Sequence, residues 1–254
     1  MDKTPPSGSH AGRGKCCGGL LAPDAQKILA RLGLGLPKGI LAGPQLFVVR
    51  AVDLQSRAER FYQRHYLNLD RRAFDDWLRS LVPPGVVLRL GCTFRRASRV
   101  EGGWSLIFSE GGTEFRERAR LLVGADGAFS SVRRFLFPDA PSPRLYLAIQ
   151  AWSAVPSAPP YFSAFFDPEI TDFYAWTIPK DDRLLVGAAL RPGRDAPARF
   201  AVFERKLRDW GIPASPVVKR EGAYLYRPLH PGQICLGGED VALWWARRRD
   251  GSAP

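Results

Sequence analysis

One stretch constrains the fold of this chain more than any other: residues 121–134, which read LLVGADGAFSSVRR. Its apolar start leads into GADG at 124–127, which is typical of a buried strand that ends in a tight turn. Ser130 and Ser131 are candidate helix N-caps, and apolar residues recur after them at helical spacing. A strand, a small-residue turn and a helix start place free backbone N–H groups beside the turn, which suits a phosphate. The stretch predicts a nucleotide-binding corner, or alternatively an ordinary turn in which glycine supplies a positive φ.

The run from Asp126 to Arg133, DGAFSSVR, resembles the D-G-x-x-S-x-h-R fingerprint (h, apolar) of FAD-dependent oxidoreductases with the aromatic-hydroxylase type of fold. That group includes the geranylgeranyl reductases. In it the segment lies against the FAD pyrophosphate and is associated with NAD(P)H use. The resemblance therefore implies FAD as cofactor and NAD(P)H as a candidate electron donor. It also implies cofactor contacts for four residues: Gly124, Asp126, Gly127 and Arg133.

Composition indicates a globular protein. The chain has 254 residues, of which 45% are hydrophobic and 11% aromatic, so it can bury a core as one large or two small domains. A formal net charge of +12 raises the question of a polyanionic partner. The arginines are scattered, however, and the aromatic-and-basic alternation of a nucleic-acid module is absent from the sequence. We therefore expect a solvated basic surface and no nucleic-acid partner.

The four cysteines, at positions 16, 17, 92 and 235, form no C-x-x-C pair and lack metal-ligand spacing to a histidine. We expect no metal site, and a reduced cytoplasmic setting is the simplest interpretation. The sequence has no apolar run of about 18 residues, the length that a membrane-spanning helix needs. Peripheral contact with an anionic membrane is left open.

Residues 12–21, GRGKCCGGLL, predict a flexible loop that leads into a helix from Pro23 to about Leu32. Geranylgeranyl reductases carry a similar K-x-C-G-G segment, whose Cys lies near the flavin ring. The resemblance implies that Cys17, Gly18 and Gly19 line the isoalloxazine and substrate pocket. The alternative is a pair of small buried cysteines without chemistry.

Two strands and a helix are predicted next. Residues 45–54 and 60–69 are rich in β-formers with partial alternation, and Asp70 is placed to cap a helix over 71–81. The run RAFDDWL from Arg72 resembles the R-x-x-F-D-x-x-L helix of the same group, whose Arg approaches the flavin. The resemblance implies a cofactor contact for Arg72, and the alternative is an amphipathic surface helix.

The remaining predicted elements flank the fingerprint. Short strands are predicted at 86–90, 93–100, 104–109, 113–119 and 121–126. After Pro138, aromatic-rich alternating segments predict an antiparallel sheet with one apolar face, at 146–152, 161–166, 173–178 and 183–190. A helix is predicted over 200–210.

The segment YAWTIP at 174–179 resembles the Y-x-W-x-F-P motif of geranylgeranyl reductases, which lines the isoprenoid cavity; Ile178 replaces the Phe. Tyr174 and Trp176 are two residues apart in a predicted strand, so they project to the same side of the sheet. The pattern predicts one aromatic wall of an apolar pocket, with plain core packing as the alternative.

The termini carry weaker resemblances. Asp2 resembles the acidic end of the group's second strand, which binds the adenosine ribose. Residues 233–240, QICLGGED, resemble the segment before its second FAD motif and imply cofactor contacts for Gly238 and Glu239. No G-x-G-x-x-G precedes Asp2, and residues 241–249 differ from the group's Gly-rich loop. We therefore expect a chain that lacks both terminal cofactor segments and has an altered or out-of-frame C-terminus.

Together these patterns predict an α+β flavoprotein: a partial FAD-binding domain formed by 1–15, 68–138 and 230–254, and a substrate-binding domain formed by 16–67 and 139–229. By the resemblance, reduced flavin transfers hydride to a C=C bond of an isoprenoid or other apolar substrate. Cys17, Tyr174 and Trp176 would lie at the reaction site. Two alternatives stay open: an FAD/NAD(P)H-dependent monooxygenase of the same fold, and a cofactor-free remnant that acts only as a binding module.

Overall fold

A computed structural model describes residues 16–212, 216–229, 233, 235–238 and 241–244, the last two segments as backbone only. Contacts between residues divide the chain into two compact units. The smaller unit contains residues 82–144 and the described part of 226–244. The larger unit contains the described residues of 16–81 and 145–225. The helix at 71–80, which the sequence assigned to the cofactor domain, has its contacts within the larger unit.

The helices are α1 (Pro23–Arg31), α2 (Arg71–Ser80), α3 (Ser131–Leu136) and α4 (Ala196–Asp209), with a 3-10 helix at Lys38–Ile40. The strands are β1 (Leu20–Leu21), β2 (Leu46–Asp53), β3 (Glu59–Asn68), β4 (Cys92–Val100), β5 (Gly103–Glu110), β6 (Thr113–Ala119), β7 (Leu122–Gly124), β8 (Arg144–Ala154), β9 (Phe162–Asp167), β10 (Thr171–Lys180), β11 (Arg183–Leu190), β12 (Val217–Arg227), β13 (Cys235–Gly238) and β14 (Val241–Trp244).

The larger unit is built on an eight-stranded sheet with the order β1-β3-β2-β9-β10-β11-β8-β12. The pairs around β10 and β11 are antiparallel, as the sequence predicted for this region. The pair formed by β2 and β9 is parallel, however, and it links β1, β3 and β2 to the remaining strands of the sheet. The result is one mixed sheet, which strands from both regions of the sequence share.

One face of this sheet is covered by α4. Phe200, Phe203 and Leu207 of the helix are fully buried against residues that alternate along β11 and β10, such as Val186 and Ala175. This burial contributes about 2 kcal/mol for each large side chain. The helix therefore closes the core on this side.

The opposite face is lined by aromatic residues. The buried residues Tyr66, Tyr146, Tyr174 and Trp176 form a second core cluster with aliphatic residues of β2, β10 and β11. The cluster includes residues from both ends of the sheet order, so the sheet curls around this aromatic face. Tyr174 and Trp176 contribute to this cluster and Ala175 between them to the other, because successive side chains of a strand project to opposite faces of the sheet, as predicted.

The smaller unit contains two three-stranded sheets, ordered β4-β5-β6 and β13-β14-β7. Its core includes Trp104, Leu106, Leu122 and Val132. The predicted strand at 86–90 is wrong: in the described chain this segment forms only a single bridge at Leu90, and Val86 and Val87 are exposed. Strand β12 was not predicted, since its charged start breaks the apolar alternation.

The α+β class predicted from the sequence is confirmed by this sheet-dominated architecture. Among the residues that the structure describes, no helix has the length and apolar character to cross a membrane.

Candidate functional site

The fingerprint forms a strand-turn-helix corner in the smaller unit. The Asp126 carboxylate accepts hydrogen bonds from the Ser130 hydroxyl and from the backbone N–H of Ser131, the latter at 2.7 Å. The Ser130 hydroxyl accepts from the backbone N–H of Arg133 at 2.9 Å, so Ser130 is the N-cap of α3, as predicted. Asp126 and Ser130 together fix the start of the helix.

These hydrogen bonds occupy the backbone N–H groups at the start of α3. The prediction of free N–H groups at the start of α3 is wrong, because the first-turn N–H groups already donate to Asp126 and Ser130. The Arg133 side chain is buried and its guanidinium donates to the carbonyl oxygen of Ala140. Cofactor contacts for Asp126 and Arg133 stay predictions, but both residues have a structural role within the corner.

The glycines keep the corner open. Gly127 has a φ of +85°, a conformation that L side chains rarely adopt. No atom of the described chain lies within 4 Å of the place where a Cβ of Gly127 would stand. Gly124 ends β7 opposite Leu243 of β14, a parallel neighbour. The corner therefore presents exposed backbone on the Gly127 side, to which a diphosphate has room to approach.

The second group of predicted residues lies in the larger unit, around Gly19. Gly18 and Gly19 are buried, and Gly19 has a φ of +61°. The carbonyl oxygen of Gly19 accepts from the backbone N–H of Leu69 at 2.8 Å. A Cβ at Gly19 would collide with the Leu69 carbonyl oxygen and come within 2.7 Å of Lys180 Nζ. Only glycine fits at position 19, because Leu69 and Lys180 occupy the place of a side chain. The flavin contact that the resemblance implies for Gly18 and Gly19 stays a prediction.

Lys180 fixes the segment from the opposite side. Its ammonium donates to the carbonyl oxygen of Leu69 at 2.6 Å and to that of Gly19 at 3.3 Å, and only 6% of the residue is exposed. Burial lowers the pKa of Lys180 from 10.5 to about 8, although nearby Cys17 and the aspartates 70 and 181 act to raise it. Lys180 was not predicted as a site residue, although it directly follows the YAWTIP motif in the sequence.

A second cation lies beside Cys17. Arg71 Nη1 approaches the Cys17 sulfur to 3.7 Å, and the guanidinium pairs with Asp75 at 2.8 Å. Arg72, for which the resemblance implied a cofactor contact, is exposed on α2. Cys17 therefore lies near two cations that were not predicted from the sequence, Arg71 and Lys180, each of which also has aspartates nearby.

Tyr174 and Trp176 form an aromatic pair on one side of β10 within the second core cluster, and their role as the wall of a pocket stays a prediction. The rings of Tyr174 and Trp176 are 5.6 Å apart, and both residues are buried. Trp176 lies opposite Gly187 of β11, and its indole occupies the space that a Cβ of Gly187 would need. The prediction that Tyr174 and Trp176 project to the same side is confirmed by their common cluster.

Three predicted cofactor residues lie near the chain ends. Asp2 and Glu239 fall outside the described residues. Gly238 ends β13 and is paired with Val241 of β14. Over the described ranges, no group of three histidine, cysteine, aspartate or glutamate side chains could hold a metal ion.

Comparison with solved structures places the fold. A geranylgeranyl bacteriochlorophyll reductase-like protein from Thermoplasma acidophilum superposes with a TM-score of 0.76 at 17% identity, over 96% of this chain and 63% of that one. A probable FAD-dependent monooxygenase from Pseudomonas aeruginosa superposes with a TM-score of 0.63 at 17% identity, over 91% of this chain and 68% of that one. The fold is that of FAD-dependent oxidoreductases and monooxygenases.

Comparison of sequences identifies much closer relatives. No protein-family model matches the chain. The protein CbrA of Escherichia coli O9:H4 (strain HS) is 43% identical over 243 residues, which are 96% of this chain and 66% of CbrA. CbrA of Escherichia coli O157:H7 is 42% identical over 243 residues, 96% of this chain and 68% of the relative. The chain thus spans about two thirds of the length of these relatives, and it belongs to the CbrA family.

Proposed function

We propose that the chain is part of an FAD-dependent oxidoreductase that transfers hydride to a C=C bond of an isoprenoid or other apolar substrate. One observation carries the proposal. Tyr174, Trp176 and Lys180 alternate along β10, so they project from the same face. The first two supply an aromatic surface, and the third holds the segment that contains Gly19. A single strand thus joins the apolar wall to the glycine segment that the resemblance assigns to the flavin.

The proposed flavin contacts lie in each unit taken separately. In the smaller unit, the open backbone at Gly127 leaves room for a diphosphate. In the larger unit, the resemblance assigns Gly18 and Gly19 to the flavin, and Lys180 and Leu69 hold Gly19 in place. FAD, when bound, supplies the hydride-transfer chemistry, which no side chain of the protein can provide.

The residues of the larger unit would bind and orient the substrate. Tyr174 and Trp176 would supply apolar contacts and exclude water, and Cys17 would stand beside them as a small polarizable neighbour. Arg71 lies 3.7 Å from the Cys17 sulfur. Together with Lys180 it would stabilise negative charge near that sulfur.

We propose NAD(P)H as the electron donor, because residues 126–133 resemble a fingerprint that is associated with NAD(P)H use. The substrate would be a small apolar molecule. The formal net charge of +12 would favour peripheral contact of the protein with an anionic membrane, in which such a substrate would be dissolved. A nucleic-acid partner is not part of the proposal.

The visible spectrum of the purified chain tests flavin binding. We expect flavin absorption bands after addition of excess FAD, with quenched flavin fluorescence. Anaerobic NADPH should then bleach the bands, and geranylgeraniol should restore them with formation of a reduced alkene. Substrate-dependent oxygen consumption with a hydroxylated product would instead favour the monooxygenase. Absence of flavin binding would leave only a binding module and would overturn the proposal.

A further inference from the structure

Three residues form a row across the aromatic face of the large sheet. Trp176 of β10 is paired with Gly187 of β11, and Gly187 is paired with Gln150 of β8. Directly paired residues of antiparallel strands project to the same face. The amide of Gln150 therefore lies on the face that carries Tyr174 and Trp176, two strands away from the indole.

The carbonyl oxygen of this amide is unusual. Gln150 is only 2% exposed, and its Oε1 accepts no hydrogen bond from the part of the chain that the structure describes. Folded proteins rarely leave a buried acceptor unpaired, because the group loses its bonds to water and gains nothing in return. An apolar side chain at this position would avoid that cost. The acceptor therefore calls for a partner that is not a residue of the described chain.

The surroundings of Gln150 on this face are small or apolar. Gly187 lies between Trp176 and Gln150 in the row and has no side chain. The indole of Trp176 lies against the backbone of Gly187. Positions 148 and 189, on the same face, are alanines. A polar atom within an otherwise apolar site fixes the orientation of a bound molecule.

We propose that Gln150 Oε1 is the acceptor for a hydrogen-bond donor of the substrate, and hence that the ligand is an apolar molecule with one hydroxyl or N–H group rather than a pure hydrocarbon. This inference rests on the proposed function, since it concerns the same aromatic face. The Oε1 selects ligands that carry a donor, and the aromatic residues bind the apolar remainder.

A matched pair of ligands tests the inference. Geranylgeraniol and its methyl ether share the same hydrocarbon, but only the alcohol can donate. Their dissociation constants are measured with the full chain in the same detergent by isothermal titration, with and without FAD. A neutral hydrogen bond contributes about 0.5 to 1.5 kcal/mol, so the alcohol should bind roughly two- to twelvefold more tightly.

Variants separate Gln150 from its surroundings. Gln150→Met and, as a second variant, Gln150→Leu remove the acceptor and should abolish the preference for the alcohol. The control is Ser153→Ala: Ser153 lies on the same strand, is fully buried, and its Oγ likewise has no partner in the described chain. It projects to the opposite face, beneath α4, so its replacement should keep the preference.

Equal affinities of the wild type for alcohol and ether would overturn the inference and would assign Oε1 to a buried water molecule. If flavin binding and alkene reduction persisted in that case, the proposed function would stand without it. If the wild type did not bind flavin, the proposed function would be overturned. The titrations with the alcohol and the ether in the absence of FAD would still test Gln150. A preference that persists in Gln150→Met, or binding of neither probe, would also overturn the inference.

Discussion

Lys180 Nζ lies 2.6 Å from the carbonyl oxygen of Leu69, a bond between residues 111 positions apart. A second hydrogen bond with the same sequence separation joins Asn68 Nδ2 to the Pro179 carbonyl oxygen at 2.8 Å. The end of β3 and the end of β10 are thus tied together around Gly19. Both the charge of Lys180 and the lack of a side chain at Gly19 therefore matter for stability.

Lys180 should make stability depend on pH. Burial lowers its pKa to about 8 in the folded chain, below the usual 10.5, so between these values the unfolded chain binds more protons. Stability from this group is therefore lowest below pH 8 and rises as pH increases through 8 toward 10.5. Between pH 7 and pH 10, the wild type should gain about 2 kcal/mol relative to Lys180→Met. Urea unfolding of both proteins across this range measures the difference, and a constant difference would contradict the burial of a charged lysine.

Gly19→Ala should be strongly destabilising, because the new Cβ would collide with the Leu69 carbonyl oxygen and the positive φ would be strained. We expect a loss of about 3 kcal/mol in the free energy of unfolding. Gly33→Ala is the matched control: Gly33 has a φ of +68°, and none of the described atoms lies within 4 Å of its Cβ position. This control should cost only about 1 kcal/mol for backbone strain. Equal losses in the free energy of unfolding for Gly19→Ala and Gly33→Ala would contradict the expected collision at Gly19.

Gly187→Ala should displace the indole of Trp176, whose ring atoms lie 2.5 to 2.6 Å from the position of the new Cβ. Overpacking of this kind costs about 1 to 3 kcal/mol, and it should change the tryptophan fluorescence and weaken binding of geranylgeraniol. Gly35→Ala, at a site with no described atom within 4 Å of the Cβ position, serves as the control and should leave both readouts unchanged. Unaltered ligand binding in Gly187→Ala would argue against a role of Trp176 in the site.

Asp126 and Ser130 allow the structural and cofactor roles of the corner to be separated. Removal of either side chain leaves N–H groups of α3 without their partners, so Asp126→Ala and Ser130→Ala should each cost about 1 to 2 kcal/mol of stability. If the Asp126 carboxylate also contacts the cofactor, only Asp126→Ala should weaken FAD binding, by about tenfold or more. Titration of each variant with FAD decides this. Equal affinities in the two variants would restrict Asp126 to the helix cap.

Much of the fold could be predicted from local sequence. The spans of β2, β3, α1 and α2 agree with the predicted ones to within one or two residues, because their periodicity and caps are encoded by neighbours in the chain. Asp70 accepts from the backbone N–H of Ala73 at 2.9 Å, as expected of an N-cap. The common face of Tyr174 and Trp176 followed from spacing alone.

Side-chain partners across the sheet could not be predicted in this way. Whether Arg71 or Arg72 approaches Cys17 depends on the rotation of α2 against the loop, and a shift of one residue turns a side chain by about 100° around the helix. The occupied N–H groups of α3 depended on the direction of the Asp126 side chain, which the motif does not specify.

The sequence by itself determined the α+β class, the main helices and strands, and the motifs that resemble those of flavin enzymes. Only the tertiary structure decided that β2 pairs in parallel with β9, that Lys180 holds Gly19 and Leu69, and that Gln150 shares a face with Trp176. The physical reason is the separation along the chain over which each interaction acts. Periodicity and capping act over a few residues, whereas strand pairing and buried polar contacts form between segments that only the folded chain brings together.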